Sequence, residues 1–560
     1  MLQRLSSHRA VPAALYRLVF CAGLLAALAG CGGMADDPDQ NEPDADHNVT
    51  GTVTFDFVPT DTSGSVAALD YGATERLPAR YVVVEAVSVA DQSTLASAVT
   101  DDRGRYALDV ARNTNVFVRV KAKMAATDAN PLAVTVADNT AQNAQWATDT
   151  DAFNTGDDAV VQDVNAGSGW TGTAYDDAAR AGGPFAILDT LYRAVQKVVA
   201  VDANASFPAL TVYWSPANIA STVDDPATGQ IGTSHFEAAD NEGDGARLFV
   251  LGKADNDTDE YDRHVIAHEL GHYLQNVFSR DDSPGGSHAA GDMLDMRVAF
   301  SEGWGNAWSA IALDDPVYTD TLGLRQADGS VFDVAAGADS NAGWFNEDSV
   351  GKVLWQLDRS DAVGFAAIWG TLTTGLVESP ALSGLHSFSF ALAEDLPEAA
   401  ATLADILADQ RVVLPTDPYG TGEVNFGDPS LDDLNPIYVV REGVDPVPAL
   451  CVSNARDAAT DGERAGNRAG EYRYLLVNLP ARPVRISVAT RSTQASFTTP
   501  LIAVFDATGK VAESASDNDG SQNLVVTPAL AGDHVITVTD LRLSEPRAPS
   551  ARSCFDVSID

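Results

Sequence analysis

Residues 264–275 read HVIAHELGHYLQ, and no other stretch constrains the chain as much. Across residues 261–278 the apolar positions Val265, Ile266, Leu270, Tyr273, Leu274, Val277 and Phe278 follow a helical period, so the spacing predicts a helix with one buried stripe. On such a helix His268 and His272 lie one turn apart, about 6 Å along the axis, which lets two imidazoles converge on one ion about 2.0–2.1 Å from each nitrogen. Glu269 leaves from the neighbouring flank and can reach a water at that ion without binding the ion itself. His264 comes one turn earlier, roughly 12 Å from His272 along the axis, too far for three histidines of one straight helix to share an ion. It is expected to support the ligands from behind or to pack.

A catalytic zinc site needs a third protein donor and an open position for water. Residues 297–312, RVAFSEGWGNAWSAIA, have helical character and set a single acid, Glu302, among Phe300, Trp304, Ala307 and Trp308. An acid in that company is costly to bury unless it is paired or bound to a metal, which makes Glu302 the first choice for the third ligand. Asp292, Asp295 and His288 stand as alternatives.

The pair HELGH and FSEGWGNAW, with Glu302 placed 30 positions after His272, resembles the gluzincin group of metallopeptidases. The likeness is close over these two segments and only in outline over the rest of residues 185–445. Metzincins are set apart by their own pattern, since Gln275 and Phe278 stand where that class has Gly and His. The resemblance implies a zincin-like, largely helical core of α+β class, one zinc ion per chain held by His268, His272 and Glu302, and hydrolysis of a peptide bond with Glu269 as general base. The group often has an Asp four residues after its ligand glutamate. Here that position is Asn306, which can accept a hydrogen bond from a ligand histidine but brings no charge. His288, His386 and Tyr261 are candidates to steady the oxyanion. The run RLFVLG from Arg247 lies where zincins place an edge strand that pairs with substrate.

Composition sets the surroundings. With 35 Lys+Arg against 79 Asp+Glu, the net charge of −44 would repel a polyanion, and the chain offers no basic patch, so nucleic acid is not an expected partner. Arg4, Arg9 and Arg17 lead into the apolar run LVFCAGLLAALAG, the layout of an export signal. Its end, Leu28-Ala29-Gly30-Cys31, resembles a bacterial lipobox, which implies acylation of Cys31 and a membrane anchor. Gly32 after that cysteine fits an outer-membrane or cell-surface lipoprotein.

Six regions are expected: a signal peptide (1–30), an acidic tether (31–48), a β-sandwich accessory domain (49–125), an irregular connection (126–184), the zincin-like catalytic domain (185–445) and a C-terminal β-sandwich (446–560). The strand at TDDRGRYALDV resembles carboxypeptidase regulatory-like domains, and the final region resembles the pre-peptidase C-terminal type. Of the 4 cysteines, Cys451 and Cys554 lie near the two ends of that last region in an oxidising compartment and are expected to form a disulfide. The acidic pieces DNEGDGA and ADNDTDEYD carry the oxygen donors calcium takes, although in a chain this negative a solvated acidic face is the preferred reading. The expected partner is a protein or peptide substrate; neither specificity nor oligomeric state is legible. The rival reading is a non-catalytic surface lipoprotein that binds a partner through its β-domains on a zincin scaffold.

Overall fold

The computed structural model describes residues 48–239, 245–286, 288, 291–338, 340–424, 434–441, 449–454, 468–491, 498–515, 520–544 and 551–560. The export signal, the Cys31 lipobox, the tether up to residue 47 and most of the DNEGDGA piece therefore lie outside the described residues. Within them the fold is a mixture of helices and β-sheets, α+β at the coarse level. No helix among the described residues is long and apolar enough to cross a membrane.

The largest sheet has ten strands and runs, from one edge, through His235–Glu237, Arg247–Val250, Leu210–Trp214, Val134–Asp138, Asn115–Met124, Val82–Ser88 and Thr94–Val99. Leu210–Trp214 lies parallel to both neighbours, and its alternating burial buries Leu210, Val212 and Trp214 on one face. Against the sheet packs the helix α1 (Gly182–Val199), whose buried residues Phe185, Leu188, Leu191, Val195 and Val198 recur at the expected three- and four-residue steps.

Two features differ from the sequence reading. The strands beginning at Val49 do not close on themselves, because Val134–Asp138 carries the sheet across residue 125 to pair with Leu210–Trp214. Residues 126–184, read as irregular, also contain the short strands Ala147–Asp149, Phe153–Asn154, Val160–Val161 and Val164–Ala166. Strands of two or three residues are fixed by the partners they pair with, and so carry no period of their own.

The helical half is built from α2 (Arg263–Phe278), α3 (Met296–Leu313) and α4 (Glu347–Arg359), with α5 (Gly364–Gly370), α6 (Leu385–Asp395) and α7 (Ala400–Asp409) behind them. Trp304, Trp308, Phe300 and Phe388 are fully buried at its centre. The spacing argument for residues 261–278 and 297–312 corresponds to α2 and α3.

The C-terminal region is a two-sheet β structure with its own core of Leu475, Val477, Ile486, Val488, Ile502, Val504, Ile536, Val538 and Phe555. Tyr438–Arg441 already belongs to it, pairing in parallel with Tyr472–Leu479. Cys451 and Cys554 stand directly opposite on paired strands, their Cα atoms 4.0 Å apart, and are joined as a disulfide. The region docks on the start of α3: the Ala469 amide donates to the Met293 carbonyl at 2.8 Å, the Tyr474 hydroxyl donates to Asp295, and the Arg297 guanidinium lies 4.6 Å over the Tyr472 ring.

Candidate metal centre

Helices α2 and α3 cross at glycine. Gly271 and Gly305 face each other so closely that a Cβ on Gly271 would stand 3.2 Å from the Gly305 Cα. A Cβ on Gly305 would stand 2.7 Å from Cε1 of His268, so bare backbone at these two positions is what lets the histidine helix and the glutamate helix share one site. The Trp304 indole nitrogen donates to the Gly271 carbonyl at 2.8 Å and fixes the crossing.

At that crossing three side-chain atoms converge. Nε2 of His268 and Nε2 of His272 are 3.0 Å apart, and Oε2 of Glu302 lies 3.3 Å from the first and 3.4 Å from the second. The outer nitrogens are turned away from this triangle by partners on α3: Nδ1 of His268 meets Oδ1 of Asn306 at 3.0 Å, and Nδ1 of His272 meets Oγ of Ser301 at 3.2 Å. Since the Asn306 oxygen only accepts, the proton of neutral His268 belongs on Nδ1 and the Nε2 lone pair faces the centre. Asn306 thus holds the His268 ring without bringing a charge.

The electrostatics follow from this packing. Burial disfavours the His272 cation, but Glu302 outweighs burial and holds the His272 pKa up at about 9. Burial also opposes the Glu302 anion, yet His272 and His288 together pull its pKa well below the usual carboxylate range. The three converging donors are among the groups able to hold a metal ion.

The centre opens into a cleft of about 450 Å³ whose lining includes Glu269, His235, His288, Tyr318 and Glu347. Glu269 is buried, with 7% of its surface exposed. Nε2 of His288 reaches Oε2 of Glu302 at 3.3 Å and Oε2 of Glu347 at 3.6 Å. Burial pushes Glu347, at the first turn of α4, up to about 8. Tyr318 lies edge-on to His268 with ring centroids 6.2 Å apart, and burial holds its hydroxyl pKa well above the ordinary value.

The remaining predicted residues go elsewhere. His264 bonds the Asp315 carbonyl at 3.2 Å and packs on Tyr318, without touching the three donors. Asp295 caps α3 and pairs with Arg297. His386 pairs with Glu423 at 3.0 Å, and Tyr261 is buried against Phe57, so neither lines the cleft, whereas His288 does. Arg247–Val250 is not the edge of the sheet, because His235–Glu237 pairs along it and becomes the edge strand beside α2. Ser301, His235 and Tyr318 had no local signal: each reaches the cleft only because its element is folded against α2.

No family model matches the chain, and no curated protein matches it. Partial likenesses to solved structures include the pre-peptidase C-terminal domain of collagenase from Bacillus anthracis, at 8% identity over 22% of this chain and 94% of that one, with a TM-score of 0.15. PliG of Aeromonas hydrophila, a periplasmic inhibitor of g-type lysozyme, is similar at 15% identity over 22% of this chain and 96% of that one, with a TM-score of 0.14.

Proposed function

We propose that the chain is a zinc metallopeptidase with a zincin-like core, acting outside the cytoplasm and anchored through an acylated Cys31. The observation that carries this reading is the donor triangle of His268, His272 and Glu302, with sides of 3.0, 3.3 and 3.4 Å. Ligands about 2.0–2.1 Å from a tetrahedral zinc ion stand about 3.3 Å from one another, so two imidazoles and a carboxylate here fit zinc in both chemistry and spacing. Zinc bound there would act as a Lewis acid, polarising a carbonyl and making a water acidic near neutral pH.

The chain's own groups do the rest. Glu269, adjacent to the ligand His268 and facing the cleft, takes a proton from the attacking water and returns it to the nitrogen of the departing amine. His288 and Tyr318 flank the same space and donate to the developing oxyanion; the raised pKa of Tyr318 keeps its proton in place for this. The strand His235–Glu237, at the edge of the sheet among the described residues, is placed to pair with an extended peptide alongside α2.

Metal content by plasma mass spectrometry, measured beside cleavage of a peptide library, tests the proposal. About one zinc per chain is expected, lost in Glu302→Ala, with Glu269→Gln keeping zinc while cleavage falls at least about a hundredfold. A parent protein with no stoichiometric zinc would leave a non-catalytic surface protein as the reading. Zinc retained by Glu302→Ala would move the third ligand to His288, which already stands at the site.

A further inference from the structure

Beside the metal centre, on the wall of the same cleft, the chain gathers a second set of acids that the catalytic reading does not use. Asp257 lies in the short strand Asp257–Thr258, Asp259 follows it, Asp262 immediately precedes α2, and Asp320 ends the strand Val317–Asp320 that follows α3. Carboxylate oxygens of Asp257, Asp259 and Asp320 lie within 4.8 Å of one another.

One polar atom of each acid in this cluster is left without a hydrogen-bond partner. Oδ1 of Asp257, Asp259, Asp262 and Asp320 is in each case buried with no hydrogen bond, and so is Oγ1 of Thr258. Asp259 is 3% exposed, and Asp262 and Thr258 are 0% exposed. The second oxygens are engaged where the fold supplies donors: Asp259 accepts from the Ser234 hydroxyl, and Asp262 accepts from the Thr321 amide at 2.9 Å and its hydroxyl at 2.7 Å. Each of the four aspartates thus keeps one buried oxygen without a hydrogen bond, and three of them bring a carboxylate oxygen to the cluster. Among the described residues no lysine, arginine or histidine forms an ion pair with any of the four.

Asp257 and Asp320 are half-buried and Asp259 and Asp262 buried, and acids packed together in this way need positive charge from somewhere. Burial and mutual repulsion push Asp257 up to about 7 and hold Asp259 and Asp262 well above the carboxylate range. A hard cation removes that cost. Calcium takes six to eight oxygens at about 2.3–2.6 Å, so its ligands stand up to about 4.8 Å apart, and the three carboxylates lie within that distance of one another. Magnesium keeps several waters and is usually held by one or two carboxylates, whereas three converge here.

We propose that Asp257, Asp259 and Asp320 bind a calcium ion, with Asp262 adding negative charge behind them. The site joins the segment that leads into α2, which carries His268 and His272, to the strand that leaves α3, which carries Glu302. Calcium there ties the two helices together outside their crossing. Tyr318 connects the two centres, since it packs on His268 while the charges of Asp320, Asp259 and Asp262 act on its hydroxyl. All-oxygen donors separate this site from the imidazole-rich one, so the proposal stands whether or not the zinc reading holds.

The test uses the full chain, stripped of metals and then equilibrated with calcium chloride. The expected results are about one calcium per chain by plasma mass spectrometry and a melting temperature raised on the order of 5 °C. Terbium, a luminescent calcium substitute, should be displaced by calcium from the same protein. The double variant Asp259→Asn, Asp320→Asn should bind neither ion; it should still fold without calcium, as its circular dichroism would report, because it removes repelling charge. Glu302→Gln should lose zinc and keep the full calcium response, so the two centres can fail separately. The proposal is overturned if the parent binds no calcium, if the double variant binds it equally well, or if Glu302→Gln abolishes the response. It is also overturned if agmatine, a guanidinium probe, raises the melting temperature where calcium does not, which would assign the cluster to a basic substrate side chain.

Discussion

Asn306 decides how well His268 can serve as a ligand, because its carboxamide oxygen, 3.0 Å from Nδ1, selects the tautomer and holds the ring. An orienting partner of this kind is worth about 10–100-fold in metal affinity. Asn306→Ala is therefore expected to weaken zinc binding by that factor in a competition titration against a chelating dye, while Asn306→Asp, which restores an anionic acceptor, should bind at least as tightly as the parent. Equal affinity in all three proteins would mean that the Gly305 backbone alone orients the ring. The three converging side chains were legible in the sequence for reasons of simple geometry: four positions make one helical turn, and an acid among aromatic residues needs a partner. Ser301 was not legible, since a serine beside a glutamate says nothing until the neighbouring helix supplies His272. The distance of His264 from the centre followed from helical rise alone.

At the scale of elements, the site depends on how closely α2 and α3 approach, and that approach is set by residues with no side chain. Gly303 repeats the arrangement on the other flank of α3, where a Cβ would stand 2.5 Å from Cβ of Val350 on α4. Gly305→Ala forces the His268 ring aside, and such overpacking costs about 1–3 kcal/mol. The expected outcome is a loss of zinc affinity together with a lower melting temperature, whereas Gly351→Ala, which meets its nearest neighbour at an ordinary 3.5 Å, should leave zinc binding intact. Zinc affinity unchanged in Gly305→Ala would show that the helices can separate without disturbing the ligands. The helices were legible from apolar residues recurring every three or four positions, although α3 proves buried on all sides from Met296 to Ile311 and α2 without a break from His264 to Gly271, rather than along one stripe. The edge strand His235–Glu237 was not legible, for a strand of three residues has no period and exists only through its pairing with Arg247–Val250.

Across the whole molecule, the C-terminal β region and the helical half meet at a buried set of charges around the start of α3. Glu471, 1% exposed, receives a hydrogen bond from the Ser544 hydroxyl at 3.1 Å, while its other oxygen is buried without a partner. Burial is the main cause that pushes its pKa up to about 7, Asp295 adds to it, and Arg468 and Ser544 oppose it. Its carboxyl ordinarily ionises near 4.5, as it does in the unfolded chain. Between these two values the unfolded state has lost the proton that the folded state still holds, so stability falls as pH rises from about 4.5 to about 7, then levels off. Glu471→Gln removes that dependence and keeps a polar group for Ser544. The variant should melt several degrees above the parent at pH 8 and within about a degree of it at pH 4.5, with calorimetry at the two pH values as the measurement. Equal melting temperatures at pH 8 would mean that water or Arg468 already compensates the charge. Because the same interface holds Asp295, the cap of α3, through Tyr474, a gain in its stability at pH 8 should also slow the loss of zinc from a centre that lies two turns further along that helix.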